Sequence, residues 1–259
     1  MSAQTLDEGQ IEVFINNKVA IITFFHPLSN SFPTKLLQNL TLEFEKINFN
    51  INVTVVVLQS KGDGAFCAGA SFDELLQVNS FETGKQFFSG FANVINAMRK
   101  CTKIIVGRVH GKAVGGGVGL MAACDYVFAN QHVAVKLSEL AIGIGPFVIE
   151  PVVSKKIGST PMSALTLAPL SWKNADWAFQ HGLIQELYEN NETMDLALNE
   201  YVRNLSNCNP EALHEMKKIL WQGTEHWDQL LRERAGISGK LVLSDFTKNA
   251  LEVFKNKSK

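Results

Sequence analysis

Residues 111–125 read "GKAVGGGVGLMAACD". Four of the five positions from Gly115 to Gly119 are glycine, and a run of small apolar residues follows. Such a turn lets something approach the backbone closely and aims the free N–H groups at the start of a helix toward it. Two chemistries use that arrangement. Gly117-Val118-Gly119-Leu120-Met121-Ala122 has the form G-x-G-x-x-A, with Glu139 twenty positions beyond Gly119, which is the outline of a dinucleotide-binding turn. A backbone N–H in the same turn could instead stabilise negative charge developing on a carbonyl oxygen. The second use needs another donor, and the small-residue loop "AFCAGASF" (65–72) offers one. The nucleotide reading is the weaker. His110-Gly111-Lys112 interrupts the entry to the turn, and the cluster lies in mid-chain.

The 259-residue chain is 46% hydrophobic and 19% charged, enough apolar sequence for one sizeable core. A net charge of −1 gives no electrostatic footprint for nucleic acid or an anionic membrane. No apolar run reaches the roughly 18 residues of a membrane span. The N-terminal "MSAQTLDEGQIEV" lacks the basic and apolar regions of a secretory signal. Cys67, Cys101, Cys124 and Cys208 are isolated, which predicts neither a zinc site nor a disulfide framework. The expectation is a cytoplasmic protein that binds no metal, no nucleic acid and no membrane.

Residues 11–25 predict two strands around "NNK". A helix follows with Thr34 as its N-cap and Leu36, Leu37, Leu40, Phe44 and Ile47 on one face. "VTVVVLQS" predicts a buried strand, 81–100 an amphipathic helix, "CTKIIVGRVHG" and "YVFAN" further strands. Residues 149–168 read as mostly helical, and 175–182 as a helix ending at Gly182. From about 191 the pattern is helical nearly to the end. The fold class is therefore α/β, divided as an α/β core over 1–190 and a helical region over 191–259. No fixed-period repeat is visible.

"AFCAGASF", followed some forty residues later by "VHGKAVGGGVGLMAACDY" and then by "LSELAIGIGPF", resembles the crotonase family of enoyl-CoA hydratases and isomerases. "PLSNSF", "ADWAFQHGLI" and "SDFTKNALEVFKNK" extend the resemblance over nearly the whole chain. It implies a spiral of ββα units, a helical C-terminal trimerisation region, and acyl-CoA thioester substrates. Coenzyme A is then part of the substrate, and no separate cofactor is expected. Carried over, the oxyanion-hole amides fall on Ala70 and Gly116. Ala68, Ser71, Phe72 and Asp73 would border the CoA moiety, although Ser71 stands where many relatives have an acid, and Asp73 where a basic residue is common. Phe254 and Lys257 match a C-terminal F-x-x-K whose lysine can reach CoA on a neighbouring subunit. A homotrimer or dimer of trimers is expected, with Leu230, Leu231, Ile237, Leu241 and Leu243 as apolar positions in need of partners.

Hydratases of this family usually carry two glutamates, two and twenty-two positions after the glycine triplet. Here the first position is Gly119, so that carboxylate is absent, and the second is Glu139. An apolar setting for Glu139 would raise its pKa. One base suits double-bond migration: it removes the C2 proton of a 3-enoyl-CoA and returns it at C4, giving the 2-enoyl-CoA. The continuation "GIGPFV" lacks the hydratases' "PGAGG". Asp125 is expected in a structural role, and Glu150 at the surface rather than in the pocket. A dehalogenating relative would need an aspartate at Phe147. The alternatives to an isomerase are a hydratase, including one for a branched substrate, and a catalytically impaired acyl-CoA-binding homologue.

Overall fold

The computed structural model describes residues 8–257, except for the side chains of Phe254, Asn256 and Lys257. Strands β1 (Gln10–Asn16) and β2 (Val19–Phe25) form an antiparallel hairpin. Asn17 and Lys18 turn it with φ of 46° and 66°, the left-handed pair that matches the twist of a two-residue hairpin. Parallel strands β3 (Val55–Ser60), β4 (Ile104–Val109), β6 (Tyr126–Asn130) and β9 (Glu186–Tyr188) complete a sheet ordered β1-β2-β3-β4-β6-β9. A second sheet, β5-β7-β8, is built from β5 (Ala113–Val114), β7 (Ala134–Lys136) and β8 (Lys173–Asn174).

Strands β2, β3, β4 and β6 of the large sheet are each followed by a short extended step and then a helical segment. After β2 comes the bridge residue Phe32 and helix α1 (Thr34–Asn48). After β3 come the bridge residues Cys67 and Ala70, helix α2 (Phe72–Gln77) and helix α3 (Phe81–Lys100). After β4 come β5 and helix α4 (Gly116–Ala123), and after β6 come β7 and a 3-10 turn, Glu139–Ile142. Phe32 pairs with Ala70, Cys67 with Ala113, and β5 with β7, so the steps stack on one another. This is the expected α/β spiral of ββα units.

Alternation along the strands sorts the core. Ala20, Ile22, Phe24, Val56, Leu58 and Ile105 face the inside of the spiral, with α1, α3 and α4. Val55, Val57, Ile104, Val106 and Phe128 face the other way, toward helix α8 (Asn191–Ser206). Helix α5 (Glu150–Ile157), helix α6 (Ser159–Thr166) and helix α7 (Ala175–Gln180) close the spiral's end. The helical stretch expected over 149–168 is broken at Gly158, where φ is 84°. Helix α9 (Pro210–Leu220), helix α10 (Trp227–Leu241) and helix α11 (Asp245–Lys257) follow α8.

Thr34 is not the cap of α1. Pro33 occupies that position, and Thr34 is the first helical residue. The reason lies forty residues away, where Glu74 accepts from both the Thr34 N–H (2.8 Å) and its hydroxyl (2.6 Å). The oxygen a cap would supply comes from another segment. Of the apolar C-terminal residues, Leu231 is fully buried, and Leu230, Leu241 and Leu243 pack on clusters within the chain. Only Ile237 among the five is exposed, so the other four already have partners in the chain itself.

Candidate active site

The site is assembled where two loops cross. The 65–71 loop runs alongside 112–114: Cys67 N–H donates to Lys112 O, and Val114 N–H donates to Cys67 O at 2.9 Å. A Cβ on Gly117 would fall 2.6 Å from Cys67 O, and one on Gly69 would fall 3.0 Å from Val114 O and 3.7 Å from Gly116 N. Glycine at both positions lets the loops touch backbone to backbone, which brings Gly69, the residue before Ala70, close to Gly116 N. Among the described residues no acceptor takes the N–H of Ala70 or of Gly116, whereas Ser71 N–H donates to Phe32 O and Gly115 N–H to Lys136 O. Helix α4 begins at Gly116, so the positive end of its dipole lies at the same corner.

Glu139 reaches this corner from the 3-10 turn after β7. Gly115 has φ of 52° and ψ of −117°, a backbone region closed to side chains. A Cβ there would also fall 2.7 Å from Glu139 Oε1 and 3.3 Å from its Cδ. The carboxyl group thus lies against the glycine that precedes Gly116, with Oε1 nearest. Glu139 as a residue is part-exposed, but its Oε2 is buried and has no hydrogen-bond partner. Burial pushes its pKa up to about 7, opposed only by a hydrogen bond from its own backbone. The turn is held by Ile144 N–H and Gly143 N–H donating to Glu139 O and Leu140 O respectively. Helix α11 packs over it: Gly143 has no room for a Cβ beside Phe246 and Thr247.

The walls are apolar. A Cβ on Gly116 would meet the end of the Phe91 ring at 2.3 Å. Ala70, Phe72, Leu75, Phe87, Phe88, Ile142 and Ile144 belong to one hydrophobic cluster joining the loop, α3 and the turn. Gly119, one turn into α4, is closed off: a Cβ there would fall 2.6 Å from Ile149 Cγ2. Packing of Gly117 and Gly119 against Cys67 and Ile149 leaves no open cradle for a pyrophosphate along the G-x-G-x-x-A stretch.

The remaining candidates are distributed as follows. The Ser71 hydroxyl caps α2, accepting from Glu74 N–H at 3.3 Å. Ala68 and Phe72 lie part-buried on either side, and Asp73 is exposed in the first turn of α2. The Phe254 and Lys257 side chains lie outside the described residues. Asp125 is structural. Its carboxylate accepts from Ile105 N–H (2.8 Å) and Trp221 Nε1–H (2.7 Å) and pairs with buried Lys217 at 2.9 Å. Glu150 turns outward to Ser154 Oγ (2.7 Å) and Arg234 (3.8 Å). Sequence reasoning missed the parts played by Phe91 and Ile149, whose contacts with Gly116 and Gly119 carry no local signal.

A spiral of ββα units around a Gly115–Glu139 corner defines a class of protein, and comparison with known proteins agrees on which. The description of the enoyl-CoA hydratase/isomerase family matches residues 14–259. The chain is 26% identical over 245 residues to the short-chain-enoyl-CoA hydratase of Clostridium acetobutylicum, covering 93% of each. It is 27% identical over 216 residues to the bacillaene synthase dehydratase of Bacillus subtilis, covering 81% of this chain and 80% of that one. The crystal structure of enoyl-CoA hydratase from Bacillus halodurans superimposes with a TM-score of 0.87 at 23% identity, over 94% of this chain and 99% of that one. The chain belongs to the enoyl-CoA hydratase/isomerase family, enzymes that act on acyl-CoA thioesters. No helix among the described residues is long and apolar enough to cross a membrane.

Proposed function

We propose that this enzyme moves the double bond of a 3-enoyl-CoA to the 2-position, with Glu139 as the only acid–base group and the N–H groups of Ala70 and Gly116 as the oxyanion hole. The observation that carries the reading is a single buried carboxyl group, with one oxygen unpartnered, against Gly115. Asp125 and Glu150, the other acids near in sequence, are engaged elsewhere.

The chemistry follows from that arrangement. Glu139 in its ionised form takes a proton from C2, and the electron pair delocalises onto the thioester oxygen, which accepts from the two amides. The protonated carboxyl then delivers the same proton to C4 as the pair returns from the oxygen. The net change is a shifted double bond, with no water and no second acid. A pKa of about 7 suits both halves, because the group must accept and release a proton near neutral pH. The apolar cluster around Ala70, Phe87 and Ile144 supplies the water-poor surroundings in which two N–H donors count most.

Hydration of a 2-enoyl-CoA is the second reading, favoured by end-to-end similarity to the Clostridium acetobutylicum hydratase. A panel of 2-enoyl- and 3-enoyl-CoA thioesters with product identification separates the two. Conversion of 3-enoyl to 2-enoyl substrate without 3-hydroxyacyl product is expected. Rapid 3-hydroxyacyl formation with no isomerisation would replace the first reading by the second.

A further inference from the structure

Helix α4 leads away from the Gly115–Gly116 corner, and residues three apart on a helix share a face. The next residue on the face of Gly116 is therefore Gly119. The space over it is filled: Ile149 Cγ2 would lie 2.6 Å, Ile149 Cβ 3.0 Å and Ile95 Cδ1 3.7 Å from a Cβ placed there. Gly119 and both isoleucines are buried. The three nearest atoms to that slot are all carbon, whereas an ordered water needs about two to four polar partners. Ile149 is held in place at the entrance to α5, where its carbonyl accepts from Val153 N–H and the following Glu150 N–H donates to Pro146 O.

We infer that Ile149 decides which reaction this site performs. Its β-branched methyl closes the slot over Gly119, so no water is held on the acyl chain's path and the proton on Glu139 can only return to the substrate. The inference rests on the reading of Glu139 as the base. The excluded reaction is hydration, in which a water oxygen bonds to C3 of a 2-enoyl-CoA while C2 gains a proton.

The test compares Ile149→Val, Ile149→Leu and Ile149→Ala with the wild type. Isomerisation of a 3-enoyl-CoA is measured beside hydration of a 2-enoyl-CoA in oxygen-labelled water, with label at C3 read by mass spectrometry. Valine keeps the methyl over Gly119, and its ratio of hydration to isomerisation should equal that of the wild type. Leucine and alanine remove that branch, and the ratio should rise by about tenfold or more, the usual scale for one pocket methyl or methylene. Leucine conserves volume and serves if alanine fails to fold. Adding Gly119→Glu to Ile149→Ala should raise hydration further, whereas Gly119→Glu alone should fail to accumulate as folded protein. A wild type that hydrates as fast as it isomerises overturns the inference. So do folded leucine and alanine variants with an unchanged ratio. Failure of the underlying reading is separate: it would show as undiminished isomerisation by Glu139→Gln, whatever the Ile149 variants do.

Discussion

Asp125 and Glu139 are two buried carboxyl groups fourteen residues apart in one chain, and the fold treats them oppositely. Asp125 is only 4% exposed at its side chain, yet a backbone N–H, an indole N–H and the ammonium of Lys217 all reach it. It ties β4, the end of α4 and α9 together. Glu139 has an equally buried oxygen and nothing to bond it. Burying a charge without partners costs several kcal/mol, so such a group either shifts its pKa or is displaced. Glu139 shifts, with its carboxyl set against Gly115 and its backbone fixed in a 3-10 turn on which α11 packs at Gly143. Burial alone therefore does not mark a functional acid. Burial without partners, at a corner with two free amides, is what the proposed role of Glu139 rests on.

That contrast can be broken in several ways. Glu139→Gln keeps the shape and removes the proposed base. Turnover of a 3-enoyl-CoA should fall by roughly two to four orders of magnitude, the usual worth of a positioned acid–base group. Acyl-CoA affinity measured by calorimetry should change little. Asp125→Ala should act on stability instead. It leaves Lys217 charged and buried, and denaturant unfolding should show a loss of about 3–5 kcal/mol. The same Glu139→Gln protein should be the more stable one in alkaline buffer. A carboxyl with its folded pKa raised from 4.5 to about 7 contributes stability that is present below pH 4.5 and lost as pH rises through about 7. Wild type should therefore lose up to about 3 kcal/mol over that window, and the glutamine variant should not. Parallel pH–stability curves for the two proteins would remove the physical basis of the contrast.

Much of the fold is legible in the sequence. Strand and helix positions follow from periodicity, whereas Glu139 becomes a candidate through the resemblance to the family's second glutamate position, with its apolar neighbours in support. The structural role of Asp125 and the outward course of Glu150 agree with expectation. The spiral itself left no periodic trace. Strands β2, β3, β4 and β6 of the large sheet begin at 19, 55, 104 and 126, and the steps that follow them are as short as a two-residue strand or a single bridge. Segments that short carry no hydrophobic pattern. The cap of α1 was misjudged for a related reason, since the oxygen that serves it comes from Glu74. Each glycine of the cluster answers to a different partner: Glu139 for Gly115, Phe91 for Gly116, Cys67 for Gly117 and Ile149 for Gly119. A glycine-rich run announces close approach. Only tertiary structure says what approaches.

The most direct test of Glu139 as a lone, buried base is the pH profile of kcat/KM for 3-enoyl-CoA isomerisation. This parameter reports the free enzyme, in which the carboxyl must be ionised to accept the C2 proton. The rate should climb tenfold per pH unit below about 7 and level off above it, and the residual activity of Glu139→Gln should lack that limb. A wild-type profile already level at pH 5.5, or one whose rising limb survives in Glu139→Gln, would place the chemistry on another group.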